Sequence, residues 1–274
     1  MSPYVFVLDI DGTLVGNVSY LVAQWEILTQ FNKKSLRLFK SMVIEQLRDG
    51  LLRSQLTEFI KSLSGTCEFF IYTASDDKWA QFFVPCIEAA SGIKFSRPIF
   101  SRKHCLQIGT DLKKSLQKIS SLIYPKLKPL FKSKSAMYQR MLLVDNNKVL
   151  LDRETRKSVL CPTYEYMTPF DIVSLVDQRI FLENAYLILK IMSKYGLVQD
   201  RLISRKLSGF QLLGVYYSCL AHNLVEYGNN IQKYNEMRRD KFWPKMLGLF
   251  VACHQKGASI ESIVKYINEN VNKE

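Results

Sequence analysis

Histidine is scarce in this 274-residue chain: there are three, His104, His222 and His254, and they do not cluster. The six cysteines, at 67, 86, 105, 161, 219 and 253, lack the short paired spacings of a zinc centre. No zinc site is therefore expected, and the thiols read as free and buried in a reducing compartment. No apolar run reaches membrane-spanning length; the nearest, residues 212–224, is broken by Ser218, His222 and Asn223. No signal peptide precedes the first strand, so an intracellular location, nuclear or cytoplasmic, is expected. Internal repeats and low-complexity segments are absent as well. Acid is in deficit: 25 Asp and Glu face 38 Lys and Arg, a formal charge of +13.

What the chain does have is three apolar segments that each end in a polar cluster. Val5-Phe6-Val7-Leu8 runs into Asp9-Ile10-Asp11-Gly12-Thr13. Phe69-Phe70-Ile71-Tyr72 runs into Thr73-Ala74-Ser75, and Met141-Leu142-Leu143-Val144 into Asp145-Asn146-Asn147. Apolar runs of this length between turn formers predict buried parallel strands. An open α/β sheet binds ligands just beyond the carboxyl ends of such strands. The three tips would bring carboxylates and a hydroxyl into one crevice, suited to a divalent cation and a phosphate.

Asp-x-Asp-x-Thr after an N-terminal strand resembles the first motif of the haloacid dehalogenase (HAD) superfamily. The strand ending at Thr73 resembles its second motif and Asp145-Asn146 its fourth. Thr73-Ala74-Ser75 followed by Lys78-Trp79-Ala80 is similar to a run in phosphatases that act on the C-terminal domain (CTD) of RNA polymerase II, the NLI-interacting-factor-like family. Phe100-Ser101-Arg102-Lys103-His104-Cys105 resembles that family's Phe-Arg-x-x-Cys segment. Lys114 stands nine residues past Cys105, at the offset of the family's third-motif lysine, with Lys113 as its rival. The resemblance covers residues 1–175. It implies an α/β fold, a Rossmann-like parallel sheet with helices on both faces; the helical region after it is read from apolar spacing alone. It also implies a Mg²⁺-dependent phosphomonoester hydrolase working through an aspartyl phosphate. Asp9 would be the nucleophile and Asp11 the general acid and base. Thr73 and Lys114 would bind the phosphoryl oxygens. Mg²⁺ would sit on Asp9, Asp145 and the main-chain carbonyl of Asp11. Gly12, Ala74 and Arg102 would position the phosphate, and Asn146 a water. The substrate implied is phosphoserine or phosphothreonine in protein. A non-catalytic scaffold on the same fold and a nucleic-acid end phosphatase stay open as alternatives, as does a viral source.

The chain departs from that family in three places. Gly12 stands where the family often has Glu. Residues 17–47 replace a small β insertion, with apolar positions such as Val18, Leu21, Trp25 and Leu28, then Phe39, Met42 and Val43, at helical spacing. Two helices packed over the sheet are expected there. An extra stretch, residues 120–138, separates Lys114 from the fourth motif. It lies in a run, residues 102–134, where nine basic residues face one acid, Asp111. Tyr124, Phe131 and Tyr138 are interleaved, so a phosphate-rich partner, including nucleic acid stacked on these rings, is one reading; a solvated face is the other. Residues 158–161 predict a last strand and 163–170 a loop before a helix near Asp171. Further helices are predicted around residues 180–192 and over 207–227, 242–255 and 259–272. The expected division is residues 1–175 as the phosphatase domain, with insertions at 17–47 and 120–138, and residues 176–274 as a helical accessory domain able to dock a partner protein.

Overall fold

The computed structural model describes residues 2–272. In chain order its first elements are β1 (Tyr4–Leu8), α1 (Ser19–Phe31), α2 (Leu36–Gln46), α3 (Leu56–Leu63), β2 (Cys67–Tyr72), α4 (Asp77–Ser91) and β3 (Ser96–Phe100). A hairpin of β4 (Leu106–Ile108) and β5 (Asp111–Lys113) follows, then α5 (Leu116–Leu127), α6 (Lys134–Tyr138), β6 (Met141–Asp145) and β7 (Ser158–Leu160). The chain finishes with α7 (Gln178–Lys194), α8 (Gly209–Asn229), α9 (Ile231–Met237), α10 (Phe242–Gln255) and α11 (Ile260–Asn270). None of the described helices is long and apolar enough to cross a membrane.

Five strands form one sheet in the order β3-β2-β1-β6-β7, and every pairing in it is parallel. The chain winds outward from β1 to β3 and then returns to β6 on the other side of β1. That reversal opens a crevice beyond the carboxyl ends of β1 and β6. Because side chains alternate across a strand, Val5 and Val7 face one side of the sheet and Phe6 the other. On the first side Leu116, Ile119 and Ile123 of α5 pack against Val5, Val7, Tyr72 and Leu143. On the second, Phe6 meets Phe59 of α3 and Phe250 of α10 with ring centres 5.8 and 5.1 Å apart, and Phe59 meets Trp243 at 4.7 Å. The outer strand β7 is closed by a side chain: Asn268 of α11 donates to the Ser158 carbonyl and accepts from the Leu160 N–H.

The chain forms two compact, discontinuous units: residues 1–16, 52–164 and 239–274 make the first, and residues 17–51 and 165–238 the second. This differs from a single cut at residue 175. Helices α10 and α11, expected in an accessory domain, belong to the sheet unit and cover its apolar face. The 17–47 helices, expected over the sheet, belong to the second unit. There Gln24 of α1 donates to the Ile172 carbonyl, and Asn223 of α8 donates to the Tyr20 hydroxyl. The helix expected near Asp171 is a single 3₁₀ turn, Ile172–Leu175; a second capping aspartate, Asp177, starts α7. All six cysteines are free thiols, and all but Cys219 are buried.

Candidate active site

Three strand ends supply the site. Asp9 follows β1, Thr73 follows β2 and Asp145 ends β6, so three strands, buried except at Glu68, fix all three backbones. Lys114 arrives from the far side of β5, where its main chain bridges to Leu150. Its ammonium donates to Asp9 Oδ1 at 2.6 Å and to Asp145 Oδ2 at 2.7 Å, and the residue is 2% exposed. Of the two lysines left open by the sequence, Lys114 enters the site; Lys113 pairs with Leu106 in the hairpin. Asp145 Oδ1 accepts the Asn147 N–H, which fixes the remaining carboxylate oxygen.

The loop after Asp9 turns sharply at Gly12, whose φ is +74°. A Cβ there would meet Asn146 Nδ2 at 2.7 Å, so glycine is required for the conformation and the space alike. Asp11, two residues past Asp9, turns one oxygen to Ser75 Oγ at 2.7 Å and to Thr73 Oγ1 at 3.5 Å. Its other oxygen is buried without a hydrogen-bond partner. Thr13 sits at the centre: its hydroxyl faces Asp9 Oδ2 at 3.5 Å and Asn146 Oδ1 at 3.3 Å, and accepts the Asn146 N–H at 3.0 Å. Arg102 lies on the exposed rim. Its Nε donates to the Ala74 carbonyl, which leaves the two terminal nitrogens of the guanidinium for a ligand.

Burial dominates the electrostatics. Desolvation pushes the Asp9 carboxyl up to about 7, against the pull of Lys114 and with further pushes from Asp145 and Asp11. Burial also raises Asp11, against Ser75, Lys114 and Thr73. Burial disfavours the Lys114 ammonium, but Asp9 and Asp145 outweigh it and raise its pKa. The site thus holds the Lys114 ammonium between Asp9 and Asp145, beside a third carboxyl, Asp11, whose pKa burial raises. Among the described residues no three His, Cys, Asp or Glu side chains gather as a metal cage. The donor set present, two carboxylates beside the main chain of Asp11, is all hard oxygen, and one buried Asp11 oxygen is unpartnered. That chemistry fits a small divalent cation of the Mg²⁺ kind.

Asp9, Asp11, Gly12, Thr73, Lys114, Asp145 and Asn146 therefore share one pocket, with Ala74 and Arg102 at its edge. Sequence reasoning gave no role to Thr13 or Ser75, although both stand inside the quoted motifs. Of the aromatic residues in and beside the basic run, Phe131 is buried in the core, and Tyr124 and Tyr138 are half-buried against the same cluster. Within the run, Lys126, Lys128, Lys132 and Lys134 are exposed.

A family model described as NLI interacting factor-like phosphatase matches residues 4–191. No curated protein matches the chain. Among solved structures it is similar to a fission yeast RNA polymerase II CTD phosphatase, an Fcp1 variant bound to beryllium fluoride. Identity is 13% and the TM-score 0.44, over 96% of this chain and 70% of that one. A second Fcp1 structure, of an essential RNA polymerase II CTD phosphatase, is similar at 13% identity and a TM-score of 0.40, over 96% of this chain and 69% of that one.

Proposed function

The chain belongs to the NLI interacting factor-like phosphatase family, and from that premise we propose that it is a Mg²⁺-dependent phosphatase of phosphoserine or phosphothreonine in protein. The observation that carries the reading is Lys114, buried and bridging Asp9 and Asp145 at the ends of adjacent strands. Asp9 Oδ attacks phosphorus, and the bond to the seryl or threonyl oxygen breaks. Asp11, whose carboxyl pKa burial raises, acts as the general acid and gives its proton to that leaving oxygen. The resulting aspartyl phosphate is hydrolysed by a water that Asn146 orients and from which Asp11, now a carboxylate, takes a proton. Thr73 donates its hydroxyl to a phosphoryl oxygen, and Lys114 holds a fixed positive charge against it. Arg102 makes a bidentate contact with the phosphate through its terminal nitrogens. Mg²⁺ held by Asp9, Asp145 and the Asp11 carbonyl would neutralise the phosphomonoester dianion.

The test is hydrolysis of a generic aryl phosphate with and without Mg²⁺, wild type against Asp9→Asn. Turnover is expected only for wild type with the cation. Beryllofluoride should be retained at Asp9 under the same conditions, and appreciable activity of the variant removes the mechanism. For the substrate, replacing Lys126, Lys128, Lys132 and Lys134 with Ser should raise KM for a multiply phosphorylated peptide. Aryl phosphate hydrolysis should stay unchanged, because exposed cations act on encounter and the site is untouched. An equal response to an oligonucleotide phosphate would move the reading to nucleic-acid ends.

A further inference from the structure

One charged side chain outside the pocket is almost fully buried and holds its catalytic loop from behind. Arg53 is 1% exposed. Its Nε and one terminal nitrogen form a fork with Asp240, at 2.9 and 3.0 Å. The other terminal nitrogen donates to the carbonyls of Pro162, at 3.0 Å, and Thr13, at 3.4 Å. Its backbone N–H donates to the Leu14 carbonyl. The guanidinium lies over the Phe242 ring at 4.7 Å and the Tyr164 ring at 5.7 Å. Asp240 is itself fixed, since its side chain accepts the Phe242 N–H and its carbonyl accepts from Ser54 Oγ.

The placement in the chain is as informative as the distances. The chain leaves the sheet unit twice, at residues 16/17 and 164/165, and re-enters it twice, at 51/52 and 238/239. Thr13, Arg53, Pro162 and Asp240 each lie within a few residues of one of those points, and all four meet at this guanidinium. Thr13 is also the residue whose hydroxyl faces Asp9 and takes the Asn146 N–H.

We propose that Arg53, locked by Asp240, is a positioning residue that sets the loop of residues 10–15 and through Thr13 aims Asp9 and Asn146. The inference rests on the phosphatase reading for its kinetic arm alone. Arg53→Lys keeps the charge and its partner but loses the fork and the grip on Thr13 and Pro162. Two readouts are compared in full-length protein: kcat and KM on an aryl phosphate with Mg²⁺, and hydrogen exchange of the peptide covering residues 10–15 against peptides covering β1 and β2. With Arg53→Lys, kcat should fall about 10- to 100-fold with KM nearly unchanged, as a small misplacement of reacting groups predicts. Exchange should quicken in residues 10–15 while the strands stay protected. Asp240→Asn, a milder change at a partly exposed residue, should move both readouts in the same direction and stands in if Arg53→Lys does not fold. Wild-type kcat with unchanged exchange overturns the proposal. So does exchange that quickens equally in the strands with activity lost in proportion to unfolded protein. If wild type itself hydrolyses nothing, the phosphatase reading fails and the exchange arm alone decides.

Discussion

Lys114 is a cation that two buried carboxylates cannot lose cheaply. Removing one partner of such a group costs about 3–5 kcal/mol, because the remaining charges stay buried and unpaired. In Lys114→Met the Asp9 carboxyl loses the pull that opposes its burial, so its pKa rises further above the unfolded value. Raised carboxyl pKa values destabilise the fold as pH rises above the unfolded value, near 3.8, and less so below it. The Tm deficit of Lys114→Met should therefore be largest at pH 7–8, shrink toward pH 5 and shrink again on adding Mg²⁺; a deficit independent of pH would contradict this. Thiols give a second residue-scale test. Burial pushes Cys67 to about 11, against Thr66 and the Tyr4 backbone, and Cys161 to about 11, against Arg53 and Thr13. At pH 8 on the order of one such thiol in a thousand is the reactive thiolate. Alkylation of native protein, read by mass spectrometry, should label the half-buried Cys219 first and reach Cys67 and Cys161 only on unfolding. Site residues were legible where motif and strand end coincide, as at Asp9, Thr73 and Asp145. Arg53 was not, since nothing local distinguishes it from the other basic residues; its burial is made by residues distant in sequence.

At the scale of elements, strands announced themselves when buried on both faces and hid when half-polar. The runs at β1, β2 and β6 are almost wholly apolar, whereas β3 is Ser96-Arg97-Pro98-Ile99-Phe100 at the sheet's edge and carries no such signal. What ties β3 to α4 is an ion pair: Glu88, buried, accepts both terminal nitrogens of Arg97 at 2.9 Å and the Phe95 N–H at 2.9 Å. Burial alone would raise Glu88, but Arg97, the Phe95 N–H and Lys94 outweigh it and lower its pKa. A lowered carboxylate contributes stability above its unfolded value, and that contribution is lost as pH falls through the folded one. Glu88→Gln should thus cost about 1–3 kcal/mol at pH 7. In urea melts the gap to wild type should close below pH 4.5. The aromatics at 124, 131 and 138 show the opposite failure: their spacing suits stacking and packing equally, and only tertiary structure decides between them.

At the scale of the molecule, the sequence pattern marked α7, α8, α10 and α11, overstated the turn at residues 172–175, and could not assign helices to a unit. Apolar stripes on α1 and α10 look alike, yet one joins the helical unit and the other the sheet. The family match ends at residue 191, while the sheet unit takes its last segment from residues 239–274. A chain ending at residue 191 lacks Asp240, Trp243, Phe250 and α11. It should lose its near-ultraviolet circular dichroism and bind a hydrophobic dye; a truncated protein with native spectra would show that those helices are dispensable. The same arrangement also sets a clock on biosynthesis. Phe6 is made about 240 residues before its ring partner Phe250, which at ~5–20 residues per second is a wait of roughly 10–50 s. For that interval the back of the sheet around Phe6 has α3 beside it but lacks the cover of α10. The loop of residues 10–15 gains the support of Asp240, through Arg53, only when that segment emerges, and a chaperone that shields β1 meanwhile would govern the yield of folded protein.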